Sequence, residues 1–181
     1  MYSMPIHAVP KSGSSKFRLV TDHSTGEFAL NCMISREDIA SVTLDNVQDL
    51  GNALHFIWEQ EGDVELILWK AVVSEVYWQM PMHPLWQIKQ VVSIDSLRHV
   101  DYCNVFGGRA SQRIFHAFMS LVIWIAVMKL LILYLYIYVD DSFLAQKKGQ
   151  LLFYRQYHKS LSSNLVHLLQ LWDYIGLPHE E

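Results

Sequence analysis

An aromatic and β-branched run, Leu135-Tyr136-Ile137-Tyr138-Val139, stops abruptly at two adjacent carboxylates, Asp140 and Asp141, before Ser142 and Phe143. A run of this composition reads as a buried strand. Two acids at its end have two readings. Aspartate favours turns for backbone reasons of its own, so the pair can simply begin a hairpin. Hard carboxylate oxygens also suit Mg²⁺, so the pair can hold a cation. The stretch alone leaves both readings open.

The sequence leading into it narrows the fold. From Met119 to Val139 the chain is apolar apart from Lys129, Ser120 and the tyrosine hydroxyls. That length could span a bilayer. Lys129 falls near the middle, where a charge is costly. The second half, Leu131 to Val139, is better suited to a strand. A buried helix followed by a buried strand has the same hydropathy, and this is the reading adopted, with helix giving way to strand between Lys129 and Leu133. At 181 residues and half apolar, the chain has length enough for one domain with a real core, and is not a disordered one. Its net charge of −4 does not announce a nucleic-acid binder. The basic residues nevertheless cluster, at Lys11, Lys16 and Arg18, at Arg109 and Arg113, and at Lys147 and Lys148. Cys32 and Cys103 form no C-x-x-C pattern, which points to a reducing compartment and no structural zinc. Met1 to Ala8 lack a signal-peptide pattern, so an intracellular location is expected.

Residues 1–15, with Pro5, Pro10 and Gly13, read as extended chain and loop. Lys16 to Asp22 alternate charged and apolar residues as a half-buried strand does. Its cations are either merely solvated or face phosphates. Ser35-Arg36-Glu37-Asp38 resembles a helix N-terminus, and Asp45 or Asn46 can cap a second helix carrying Val47, Leu50, Leu54, Ile57 and Trp58. Gly62 and Asp63 mark a turn. A buried strand begins at Leu66 and runs toward Val73. Tyr77 to Pro84 is a strand or loop interrupted by prolines, and Val91, Val92 and Ile94 suggest a short strand. Phe106-Gly107-Gly108-Arg109-Ala110-Ser111 is a glycine turn entering a helix, a feature that can approach an anion closely but is common. Leu161 to Ile175 forms an amphipathic helix stopped by Gly176, after which no closing element is evident.

Taken in order, these pieces resemble a reverse transcriptase, the RNA-directed DNA polymerase of retroelements. The resemblance runs from about Val9 to Glu181. Tyr138-Val139-Asp140-Asp141 matches the family's Y-x-D-D box. Phe106-Gly107 with Ala110-Ser111 and Ile114-Phe115 is similar to its glycine-containing template and nucleotide motif. Lys16 to Asp22, followed by Leu30-Asn31, is similar to the fingers motif. Trp69 to Tyr77 stands where the first palm motif belongs. The phenylalanine before Gly107 is closer to LTR- and DIRS-type retrotransposons than to retroviruses.

This resemblance implies an α+β fold comprising the fingers and palm subdomains of a right-hand polymerase with the thumb absent. Residues 1–65 would be mainly fingers and 66–181 mainly palm with some fingers. Thumb and RNase H regions of the parent polyprotein would lie beyond Glu181. The family transfers nucleotides with two Mg²⁺ (or Mn²⁺) ions. Asp140 and Asp141 would be the catalytic metal carboxylates. Arg18, with Lys16 or Lys11, would pair with the dNTP triphosphate. Tyr77 would be the gate that excludes a ribose 2′-hydroxyl, and Phe106 and Gly107 would line the base-pair pocket. Arg109 and Arg113 would contact the RNA or DNA template–primer.

One position departs from the family. Val72 stands where it has its other metal aspartate, and valine has no oxygen to coordinate a cation. Glu75, three residues on, would face the opposite side of a strand. The implied protein is therefore a degenerate, truncated and inactive copy. Two other readings compete with it. One is a non-catalytic nucleic-acid-binding remnant. The other is a small membrane protein with a span at 119–139.

Overall fold

The computed structural model describes residues 3–13, 15–39 and 42–180. In chain order the elements are β1 (Ile6–Pro10), β2 (Phe17–Thr21), α1 (Val47–Glu61), β3 (Leu66–Val73), α2 (Pro84–Gln87), β4 (Val91–Ile94), β5 (Leu97–Val100), α3 (Ser111–Leu130), β6 (Leu135–Tyr138), β7 (Asp141–Lys147), β8 (Leu151–Tyr154), β9 (Lys159–Ser162), α4 (Ser163–Ile175) and β10 (His179–Glu180). The chain divides into two compact units, residues 1–42 with 77–115, and residues 43–76 with 116–181.

The first unit is built from hairpins and pinned loops. β1 pairs antiparallel with β2, from Ile6 opposite Thr21 to Pro10 opposite Phe17. Residues 6–10, expected only as extended chain or loop, are thus a paired strand: Pro10 sits at its last position, where a missing N–H costs least. β2 was expected to be half-buried, yet Phe17 and Leu19 are 67% and 72% exposed. A two-stranded ribbon has no second layer to cover either face. The helix start expected at Ser35 is absent. Ser35 Oγ instead accepts the Glu37 N–H in a local turn, the competing use of a serine side chain. β4 and β5 form a hairpin whose turn residues Asp95 and Ser96 both have positive φ, 49° and 65°, as a two-residue turn of this kind requires. β5 escapes a pattern search because all four of its residues are exposed.

Buried amides hold the loops. Gln90 donates to the carbonyls of Asp101 and Cys103, and Asn104 to that of Met80. His23 is buried, and neither ring nitrogen has a hydrogen-bond partner. Burial lowers its pKa from the ordinary value near 6.5. A buried neutral histidine binds fewer protons than the unfolded chain does. Its contribution is therefore complete above about pH 6.5 and is lost as pH falls from there toward the lowered folded value. A His23→Met variant is expected to flatten the acid limb of the unit's stability curve, measured by denaturant midpoints between pH 7 and pH 5. Curves that stay parallel would exclude His23 as the source.

The second unit carries a four-stranded antiparallel sheet in the order β10-β3-β7-β6. Its helices follow local signals. Asn46 caps α1 in a reciprocal box with Asp49, while Asp45 turns away and accepts the Ile137 N–H. α3 ends at Leu130. Leu131 and Tyr134 then take φ of 56°, and β6 starts at Leu135. The apolar run 119–139 is therefore helix, turn and strand, so the membrane reading has no continuous helix at that span. α3 itself is long and apolar enough to cross a membrane, with a mean hydropathy of 1.6 and 22% of that window buried. Gly176 closes α4 in the left-handed conformation, φ 72°.

The chain does have a closing element. β10 pairs with the end of β3, His179 opposite Val73 and Glu180 opposite Val72. Its two-residue length hides it from any periodicity. Side chains alternate across the sheet. Ala71, Val73, Ser142, Leu144, Leu135 and Ile137 are buried on one face. The core is completed by Met119, Val122 and Ala126 of α3 and by Val166, Leu168, Leu169 and Trp172 of α4. A polar cluster ties β8, α4 and β10 together. His179 Nε2 lies 3.1 Å from both Tyr154 Oη and Asp173 Oδ1, and Tyr154 donates to Asp173 Oδ2 at 2.8 Å. Burial and then the Asp173 carboxylate push the Tyr154 hydroxyl far up, and burial raises that of Tyr157.

Candidate functional site

In the second unit, β6 and β7 join through a two-residue turn, Val139 and Asp140, with Tyr138 directly opposite Asp141. Val139 has φ +57°, a conformation that a β-branched residue adopts only at a cost. The turn puts Asp140 at the tip. Its carbonyl accepts the Val73 N–H at 3.0 Å, locking the tip to the end of β3. Among the described residues the Asp140 carboxylate has no hydrogen-bond or ion-pair partner.

Register aligns the rest. β3 and β7 pair from Leu66 opposite Lys147 to Val72 opposite Asp141. Opposed residues in an antiparallel pair project to the same face, so Val72 and Asp141 do so, with Lys70 and Phe143 one pair further along. Tyr136 stacks on Phe143 on that face, with ring centroids 5.8 Å apart. An open groove of about 550 Å³ lies beside it, its lining including Val47, Leu50, Leu68, Tyr138 and Phe143, with Lys70 and Asp141 also in the wall. The sequence thus correctly brings position 72 beside the acidic pair.

The residues present do not fit a divalent metal site of the implied kind. Val72 offers no donor, and Lys70 Nζ sits 2.8 Å from Asp141 Oδ2. No group of three His, Cys, Asp or Glu side chains is placed to hold an ion among the described residues. Glu75 does not repair the gap. β3 ends at Val73, and Glu75 is exposed in the following turn with φ 53°. The strand-parity reason for excluding it therefore gives way to a simpler one, that the strand has already ended.

The other expected site residues belong to the first unit. Arg18 is exposed on β2, with Lys16 just before the strand. Tyr77 lies in a short 3₁₀ turn (Val76–Gln79), edge-on to Phe106 at 4.8 Å and to Phe115 at 5.9 Å. Gly107 takes φ +84°, which glycine adopts without strain. Arg109 and Arg113 point guanidinium nitrogens at the backbone carbonyls of Ile34 and Asp38. They therefore hold the 34–38 loop, which limits what they can offer to a nucleic acid.

A residue not singled out for a role in the sequence organises this turn. Asn31, almost fully buried, donates to the Gly107 carbonyl at 2.8 Å and to Ser24 Oγ at 3.0 Å, and accepts the Arg109 N–H at 2.6 Å. Its signal was the Leu30-Asn31 pair after the basic strand. Asn31→Ala leaves the Arg109 amide and the Gly107 carbonyl without their partner. It is expected to destabilise the unit by about 1–3 kcal/mol and to raise hydrogen exchange selectively at residues 107–109. Unchanged exchange there would show that the clamp does not hold the turn.

A scan against known protein-family models finds no match to this sequence, and a search of curated proteins finds none. Solved structures do match. The chain is 16% identical to a foamy viral protease-reverse transcriptase in complex with dsDNA, with a TM-score of 0.65, covering 98% of this chain and 31% of that one. A second foamy viral protease-reverse transcriptase structure, in complex with an RNA/DNA hybrid, matches at 17% identity and a TM-score of 0.60, over 94% of this chain and 19% of that one. A third, with ds DNA, matches at 18% identity and 0.60 over 98% of this chain and 25% of that one. The chain thus spans less than a third of the length of each. At these identities the likeness concerns the fold: almost the whole chain adopts a mixed helix-and-sheet fold like part of a retroviral reverse transcriptase.

Proposed function

We propose that this chain is a fingers-and-palm fragment of a reverse-transcriptase-type polymerase from a retroelement, in a copy that no longer polymerises. Residues 1–65 would be mainly fingers and residues 66–181 mainly palm with some fingers. The observation that carries this reading is the register of β3 against the β6–β7 hairpin. It sets Val72 opposite Asp141, beside a tip carrying Asp140. The family pattern needs a carboxylate at 72, and the valine there supports inactivity. The Mg²⁺ or Mn²⁺ of the family has no adequate ligand set here. Arg18, with Lys16, remains the proposed contact for a dNTP triphosphate, and Tyr77 with Phe106 and Gly107 the proposed nucleotide surface. Phe106 before Gly107 favours an LTR- or DIRS-like parent, acting inside the cell.

The matched reverse transcriptases hold DNA or an RNA/DNA hybrid, and we extend duplex binding to this chain. Fluorescence anisotropy with a labelled primer–template should give saturable binding. Affinity should fall at least about tenfold between roughly 50 and 200 mM salt, as expected when two or more phosphates are neutralised. Absence of binding at low salt would count against the reading.

A further inference from the structure

We propose that Lys70 has taken over the place of the missing cation, so that its ammonium is the resident counter-ion of the acidic turn. This rests on reading Val72 and the acidic pair as a former metal site. Three observations converge. Lys70 projects to the same sheet face as Val72 and Asp141, two residues back along β3. Its Nζ lies 2.8 Å from Asp141 Oδ2, well inside ion-pair distance. Glu180 stands opposite Val72 on the neighbouring strand β10, but among the described residues the carboxylate within ion-pair distance of Lys70 is that of Asp141.

A metal ion seated on Asp140 and Asp141 would meet this ammonium within a few ångströms. Like charges that close disfavour binding, and the half-exposed setting weakens the repulsion without abolishing it. The valine at 72 and the cation at 70 are then two separate locks on one site. Val72→Asp alone opens the first and leaves the second, because its new carboxylate can pair with Lys70 as Asp141 does.

The geometry also makes the test clean. The Lys70 and Asp141 side chains are 57% and 31% exposed, and an ion pair that wet contributes little to stability. Lys70 can therefore be replaced without unfolding the unit, as circular dichroism of each variant would verify. Mn²⁺ binding is read by loss of the free-ion EPR signal in the full chain and in Val72→Asp, Val72→Asp/Lys70→Gln and Val72→Asp/Lys70→Arg variants. The expected result is no saturable binding to the unaltered chain, weak binding to Val72→Asp, and at least about tenfold tighter binding once Lys70 is glutamine. Arginine, which keeps the charge, should remain as weak as lysine. Equal affinity of the Val72→Asp and Val72→Asp/Lys70→Gln proteins would overturn the role of Lys70 while leaving the metal-site reading of position 72 intact. No binding to any variant would overturn both.

Discussion

Trp172→Ala is expected to cost the second unit about 3–5 kcal/mol, a large share of what a domain of this size possesses. Trp172 is fully buried on α4, among Leu168, Leu169 and Val166, and its ring centroid lies 5.7 Å from that of His179. Its removal leaves a cavity between α4 and His179 of β10, beside the turn that delivers β10 to the edge of β3. The Leu177 N–H bonds to the Trp172 carbonyl at 2.9 Å and fixes that turn. The indole nitrogen itself has no hydrogen-bond partner. Trp172→Phe discards no bond and should cost much less than the alanine variant. Urea unfolding monitored by near-UV and far-UV circular dichroism gives both values, provided the slope with denaturant is unchanged. Equal midpoints for the alanine variant and the parent would mean that α4 is not docked as described.

The second large effect is on activity. Primer extension with Mg²⁺ is expected to be at background for the unaltered chain. For Val72→Asp combined with Lys70→Gln, each fused to a thumb from a related element, it should rise by on the order of a thousandfold or more, equivalent to about 4 kcal/mol of barrier. The reasoning is geometric. β3 aims position 72 at the face that carries Asp141, and Asp140 is locked beside it through the Val73 N–H. A carboxylate at 72 therefore arrives already oriented, and orientation is what such a site mainly supplies. The thumb is included because a grip on primer–template is needed in addition to a repaired turn. If the unaltered fusion extends a primer as fast as the repaired one, position 72 is not the missing carboxylate site, and the alignment of the first palm motif is wrong.

Much of this arrangement was legible in the residues themselves. The strand at Leu66–Val73, the glycine turn into α3, the break of the apolar run after Lys129 and the Gly176 stop of α4 all follow from local propensity and capping. These are decided over a few residues, so a single sequence carries them. The acidic tip and the valine at 72 were legible because each is a chemical fact about one side chain.

What the sequence left undecided depended on partners distant in the chain. Whether residues 6–10 form a strand depends on β2, and β10 exists because β3 presents an unpaired edge to a two-residue segment. The basic and apolar alternation of β2 implied a buried face, but only a covering layer could have buried it. Arg109 and Arg113 read as free cations until the carbonyls of Ile34 and Asp38 were placed against them. Lys70 was an ordinary strand lysine in the sequence. Only the pairing of β3 with β7 set it against Asp141, because antiparallel register decides which side chains share a face, and register is a property of two strands together.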